Sequence, residues 1–351
     1  RCNVCNNCDV QEVLRNVPVN PRFLYSALGG FGPADVMDFF ENHGVALKTE
    51  RGNRVFPQSD KAADIIDALF LWVKKAGVTI VHTTADELLI EDGVLTGVRA
   101  GHKTYKADRV IVATGGASYP QTGSTGDGYR FARQAGHTVV PANPSLVPLV
   151  EDGDTCQKLM GLSLRNVQLT AYENEKKLYS DFGEMLFTHF GLSGPLVLSA
   201  SAHMRHFGSK KYRVEIDLKP ALDEKTLDKR LLADFDKHKN SDFINALGEL
   251  LPKKLIPVVI EKSGIDPREK VNSITKVQRA ALLRVLKAFP VEISGKRPIA
   301  EAIITTGGVS VGDRDYLPQA AEELLDGDDG HEAAEHGLPQ RDGHRQVIRQ
   351  N

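Results

Sequence analysis

The sequence predicts an α/β fold, a parallel-sheet domain interrupted by an inserted mixed α+β segment. Three observations point there. Val110-Ile111-Val112-Ala113 is a short, apolar, β-branched run of the kind buried on both faces of a parallel sheet, and it ends in Thr114-Gly115-Gly116. Ile299–Ile304 repeats the pattern and ends in Thr305-Thr306-Gly307-Gly308. Between the two, from residue 147 to 297, short strands and helices mix in a different rhythm, which reads as a separate domain inserted into the first.

The elements follow in order. Pro33 suits the first position of a helix and Gly44 its C-terminal cap, so 33–43 reads as a helix with Val36, Met37 and Phe40 as its apolar stripe. After a turn at Arg51-Gly52-Asn53 and the extended Val55-Phe56-Pro57, a second helix is expected from an N-cap at Ser59 or Asp60 to Gly77. Its Ala62, Ile65, Ile66, Leu69, Phe70 and Val73 recur at three- and four-residue spacing, as a core-packing face does. Val78–Thr83 reads as a strand. Asp92-Gly93 between Leu88–Ile90 and Val94–Val98 is a strong hairpin signal, and Lys103–Lys106 extends the hairpin to a three-stranded meander. Beyond Pro148, Val167–Tyr172 and the alternating Arg213–Leu218 read as strands. Helices are expected at 223–237, 241–250 and 275–288, with interruptions at Pro252 and Pro257, and another where Ser193 caps and Pro195 begins a turn. Residues 312–351 hold ten acids and no aromatic after Tyr316, too little apolar surface to offset the entropy of ordering, and are expected to form a disordered tail.

The Thr114-Gly115-Gly116 corner and the cluster Gly123, Gly126 and Gly128 that follows it open a helix ending near Gly136. Glycine lets the main chain approach a ligand, and a helix N-terminus at the carboxyl edge of a sheet favours an anion. The plainer reading, that these glycines only make turns, stands equally on spacing alone, since Gly123-x-x-Gly126-x-Gly128 is not G-x-G-x-x-G and Asp127 would oppose a phosphate.

Composition narrows the classes. A chain of 351 residues suggests about two domains; 41% hydrophobic and 26% charged residues are ordinary for a globular protein. The net charge of −2 offers no basic footprint for nucleic acid or an anionic membrane. No apolar run nears the ~18 residues that cross a bilayer, and nothing resembles a signal peptide, so a cytoplasmic location is expected. Cys2-x-x-Cys5-x-x-Cys8 lacks the fourth nearby thiolate of an iron–sulfur loop, the other cysteine being Cys156, and no metal site is expected.

The run Ala113-Thr-Gly-Gly-Ala-Ser-Tyr-Pro-Gln-Thr-Gly-Ser-Thr-Gly-Asp-Gly-Tyr129, with Gly136-His137 and Pro144-Ser-Leu-Val-Pro148, resembles the HI0933-like flavoprotein family. So do Arg1-Cys2-Asn3-Val4, Arg54–Ala62, Leu186–Pro195 and Thr305–Ser310, a resemblance spanning residues 1 to 311. It implies a Rossmann-like FAD/NAD(P)-binding domain of glutathione-reductase type (1–146 and 298–311) with the insert (147–297) over the substrate cleft. The activity implied is that of an FAD-dependent oxidoreductase acting on a small organic substrate, with NAD(P)H as electron source. The family's motifs place cofactor contacts on Arg1, Cys2, Asn3, Ala85, Ala113, Thr114, Gly115, Gly116, Gly307 and Gly308. A flavin reduction needs a proton beside the hydride, and His189, between aromatics in Phe187–Pro195, and Tyr119, just after the glycine corner, are the candidate donors. Each also has a plainer role, His189 as a satisfied structural residue and Tyr119 packed on Pro120. In the family a glycine-rich pyrophosphate loop precedes the Arg-Cys-Asn block. This sequence contains no such motif, so a non-catalytic remnant with a defective cofactor site is the alternative expectation.

Overall fold

A computed structural model describes residues 1–311 and the backbone of 346–349. The chain forms two compact units: Arg1–Gly115, Gly126–Val140 and the described residues from Val309 on make one, and Gly116–Thr125 with Pro141–Gly308 the other. It is a mixed α/β protein containing a small closed barrel.

In the first unit, β1 (Leu47–Glu50) and β2 (Arg54–Pro57) form a hairpin whose turn places Gly52 and Asn53 at positive φ. β3 (Thr79–His82) pairs in parallel with Gln346–Arg349. The remainder of the segment expected to be disordered lies outside the described residues. β4 (Glu87–Glu91), β5 (Val94–Ala100) and β6 (Lys103–Lys106) are the meander, closed by Asp92 and Gly93 at φ of 52° and 81°, the all-positive turn that Asp-Gly predicts. Helix Pro33–Asn42 buries Phe40 and ends at Gly44, φ 85°.

Two expectations fail here. Helix Ala62–Lys75 is capped by Lys61, with Ser59 Oγ accepting from the Lys61 N–H (3.1 Å), and it buries Ile65 and Ala68 while Ile66, Leu69, Phe70 and Trp72 stay exposed. Val110–Ala113 is not a strand: it pairs with no neighbour among the described residues, and Ile111 is 92% exposed. A strand exists only through its neighbours' hydrogen bonds, and the wide parallel sheet that would flank this one is not among the described residues.

In the second unit, β7 (Val139–Ser145) leads to β8 (Leu149–Glu151), β9 (Ser163–Glu173), β10 (Lys176–Phe187), β11 (Gly191–Ser193), β12 (Tyr212–Asp217), β13 (Phe289–Lys296) and β14 (Ile304–Val309). Six of these close into a barrel in the order β10-β11-β8-β13-β12-β9, and β14 pairs with β7. Alternation drives the closure: along β12, Val214 and Ile216 are fully buried and the residues between them are not. The core continues from the barrel into helices Glu224–Lys237, Ile256–Ser263 and Lys276–Lys287 through Leu231, Val259 and Leu282, each fully buried. Asp223 caps the first helix by accepting from the Thr226 N–H (2.6 Å), and Thr275 with Gln278 forms a capping box on the third.

The barrel was not visible in the sequence, and several boundaries shift. The helix expected at 241–250 is a single 3-10 turn, Phe243–Asn245, among other turns. Pro257 opens a helix rather than interrupting one, because the first turn needs no N–H from it. Gly194, not Ser193, caps helix Pro195–Ser201. The strand expected at Ile299–Ile304 is a 3-10 turn, Ile299–Glu301, before β14.

Candidate functional site

In the first unit the Thr114–Gly115 corner is packed against the first turn of helix Asp127–Gln134. A Cβ on Gly128 would sit 2.7 Å from Thr114 Oγ1, so the glycine is needed for this approach. Gly126, at φ 84°, caps the helix, and Gly115 is at φ 75°. Asp127, whose charge would repel a phosphate, is held by Arg130 Nη2 at 3.1 Å. The same guanidinium donates to the Ala85 carbonyl (3.3 Å) and to the Asp86 carbonyl. Ala85 and the helix N-terminus are thus joined through Arg130, which no sequence motif singles out, and the Thr114 corner meets the same helix at Gly128.

Arg1, Cys2 and Asn3 form a second group. Arg1 bonds Glu50 Oε1 (2.5 Å) and Asp60 Oδ1 (2.9 Å) and lies over the Phe56 ring at 4.0 Å. Cys2 packs against the cluster of Phe40, Val45, Ile65 and Ala68. With its amide turned to satisfy its neighbours, Asn3 donates to the Cys5 and Val55 carbonyls at 2.9 and 3.1 Å. The two sequence blocks around Arg1 and Arg54–Ala62 therefore meet on the β1–β2 hairpin. Cys5 Sγ donates to the Pro33 carbonyl (3.8 Å), and burial followed by the nearby Cys8 pushes its thiol pKa up. No group of three or more His, Cys, Asp or Glu suited to a metal occurs among the described residues.

In the second unit His189 occupies the turn between β10 and β11. Thr188 pins that turn: its N–H and Oγ1 both donate to the Gly191 carbonyl (2.8 and 2.9 Å), and Oγ1 accepts from the Gly191 N–H (3.2 Å). The exposed imidazole packs edge-on to Phe190 at 5.0 Å, and Arg297 lies over the other ring at 4.5 Å while bonding Glu301 at 2.6 and 3.0 Å. Arg297, with a smaller contribution from His189, holds the Glu301 carboxyl below its usual range. Tyr119 sits at φ 50°, an unusual left-handed conformation for a bulky residue. Its neighbour Ser118 donates to the Ile303 carbonyl (3.3 Å), which ties the segment following Gly116 to the approach of β14, where Gly307 and Gly308 have φ of 85° and 107°. His189, Glu301 and Arg297 are brought together, while Tyr119 is linked toward β14 only through its neighbour Ser118 and the Ile303 carbonyl.

One further group had no sequence signal. Lys296, at the end of β13, donates to the Pro144 carbonyl (3.0 Å), and burial, reinforced by Arg205, pushes its ammonium down to about 8. Nothing in Gly295-Lys296-Arg297 distinguishes it; only barrel closure brings it to the Pro144–Pro148 segment.

Comparison with known proteins fits this geometry. Residues 143–304, which fold as the barrel and its helices, match the family model described as HI0933-like protein barrel and H2TH domain. A second model, a probable molybdopterin binding domain, matches residues 287–350; its first part falls on β13, a barrel strand here, and most of the rest lies outside the described residues. The chain is 29% identical over 315 residues to the 3-dehydro-bile acid delta(4,6)-reductase of Clostridium scindens, covering 89% of this chain and 76% of the relative. It is 28% identical over 292 residues to the ribosomal RNA dihydrouridine synthase of Escherichia coli and 29% over 296 to that of Haemophilus influenzae, each covering 83% of this chain and 70% of the relative. By these resemblances the chain is an oxidoreductase. The barrel segment, residues 143–304, resembles the HI0933-like family.

Proposed function

We propose that the chain uses FAD, with NAD(P)H as electron source, to add two hydrogens across a carbon–carbon double bond conjugated to a carbonyl in an organic substrate. The observation that carries this is the pair of relatives: a delta(4,6)-reductase acting on a 3-dehydro compound and a dihydrouridine synthase share that chemistry in their names while differing in substrate. The residues present suit a flavin. Main chain at Ala113–Gly115 is accessible and opened by Gly115, Asp127 is neutralised by Arg130, and Arg1, Cys2 and Asn3 are fixed on the β1–β2 hairpin. Ala85, Gly116, Gly307 and Gly308 are the further contacts proposed. A bound flavin would supply the hydride. His189 would deliver the accompanying proton from its imidazole nitrogen, steadied by Phe190 and by Glu301 nearby; Tyr119 would do so from its hydroxyl if the substrate lies against the glycine corner.

A nucleic-acid substrate has support that whole-chain charge conceals. Residues 147–297 carry 25 Lys and Arg against 20 Asp and Glu, so the net charge of −2 averages a basic barrel domain with acidic remainder. Loading the full chain with FAD and reducing it anaerobically with NADH or NADPH, then adding either a steroid dienone or a uridine-containing RNA, tests both readings. Reoxidation of the flavin by one of them identifies the substrate class. A chain that binds no flavin, or whose reduced flavin neither substrate reoxidises, removes the proposal.

A further inference from the structure

Away from the residues discussed above, a cleft of 280 Å³ opens in the second unit where β9 begins and β12 ends. Leu218, Leu251 and Leu255 floor it, and Ser163, Arg165 and Lys219 supply its polar groups. No acidic residue lines it. Among the described residues no carboxylate lies within 4.0 Å of the Arg165 or Lys219 side chain, and no hydrogen bond engages either charged head. Asp217, nearest in sequence, is already committed: Lys287 Nζ sits 2.5 Å from Oδ2, and the Lys219 main-chain N–H donates to Oδ1 at 2.9 Å. Lys219 is half-buried, and burial, followed by repulsion from Arg230, pushes its ammonium pKa down.

Arg165 is exposed and Lys219 half-buried beside the leucine floor, and neither has a carboxylate partner among the described residues, so an anion seated between them would gain from both charges. Arginine offers a planar fork, lysine a point charge and serine a hydroxyl, a donor set matched to the several oxygens of a phosphate. The aliphatic floor suits the organic body that carries it.

We propose that this cleft binds a small phosphate monoester, with the phosphate between Arg165 and Lys219 and the organic group on Leu218, Leu251 and Leu255. The site is independent of the flavin reading and is tested without flavin or turnover. Calorimetric titration of the full chain with phenyl phosphate, inorganic phosphate and phenol is the measurement. Phenyl phosphate should bind more tightly than inorganic phosphate, and phenol not measurably. Arg165→Met and Lys219→Met should each weaken phenyl phosphate about tenfold or more, the loss of one charge-assisted contact. The charge-keeping Lys219→Arg should retain binding, and Lys176→Met, at the start of β10, should leave it unchanged. Absence of saturable binding, or an affinity that Arg165→Met and Lys219→Met leave intact while both remain folded by circular dichroism, overturns the proposal.

Discussion

Replacing Gly191 with alanine tests the point where the barrel and the His189 turn depend on each other. Gly191 has φ 154°, and a Cβ there would lie 2.1 Å from the Leu149 carbonyl oxygen and 2.7 Å from the Glu151 nitrogen. Both are backbone atoms of β8, so no rotamer change can relieve the clash. β11 has to lift off, losing the pairs Gly191–Val150 and Leu192–Leu149 and loosening the Thr188 turn that presents His189. Two or three hydrogen bonds at ~1 kcal/mol each, with partial exposure of Leu149 and Leu192, each worth ~1.5–3 kcal/mol when fully buried, give a destabilisation of about 3–5 kcal/mol. Gly136→Ala is the control: its φ is 88° and nothing lies within 4 Å of the added carbon, so it bears only left-handed strain of ~1–2 kcal/mol. Urea unfolding followed by far-ultraviolet circular dichroism measures both; fluorescence from Trp72 reports on the other unit. A Gly191→Ala variant that unfolds within ~1 kcal/mol of the parent, or a Gly136→Ala variant that costs as much, rules out the clash with β8 as the source of the loss.

Other outcomes follow from the same geometry. His189→Asn should lower the rate of double-bond reduction by ~10²–10⁴ with flavin affinity unchanged, the usual span for loss of a proton donor; if only Tyr119→Phe does so, the donor is Tyr119, and if neither does, both assignments fail. Arg130→Met should weaken FAD binding about tenfold by leaving Asp127 uncompensated and freeing the Ala85 carbonyl, and adding Asp127→Asn should restore most of it; a double variant no better than Arg130→Met would place Asp127 away from the phosphates. Lys296 has a folded pKa of about 8, below the unfolded value of ~10.4. The unfolded chain therefore holds more protons between these values, and stability rises with pH across that window, while below pH 8 the full burial cost remains. After discounting for a partly exposed amine the rise is roughly 1–2 kcal/mol, and Lys296→Met should abolish it in urea midpoints measured at pH 7.5 and 10. Equal slopes in parent and variant would contradict it.

Local chemistry was legible where it acts within a few residues. Asp92-Gly93 and the meander, the Pro33–Asn42 helix, and the Gly126 and Gly136 limits of the helix between them needed only turn preferences and periodicity. What required distant partners was not. Val110–Ala113 has the composition of a buried strand, yet composition cannot supply the neighbours that make one. The barrel depends on β13 reaching back to β8 across more than a hundred residues, a pairing no local pattern announces. The same holds for the site. His189 stood out by its motif, whereas the Arg297–Glu301 pair beside it and the Arg130 clamp on Asp127 and Ala85 appear only once the chain is folded. Net charge is a coarse guide for a related reason, since a whole-chain sum averages out an excess confined to residues 147–297.

The most direct test is equilibrium titration of FAD into the purified full chain, followed by quenching of flavin fluorescence and by the visible spectrum. Saturable binding of one FAD per chain, weakened at least tenfold by Gly115→Val at its φ of 75°, is the predicted result. A chain whose flavin signal never saturates, or whose affinity ignores Gly115→Val, contradicts the cofactor site proposed for the Thr114–Gly115 corner.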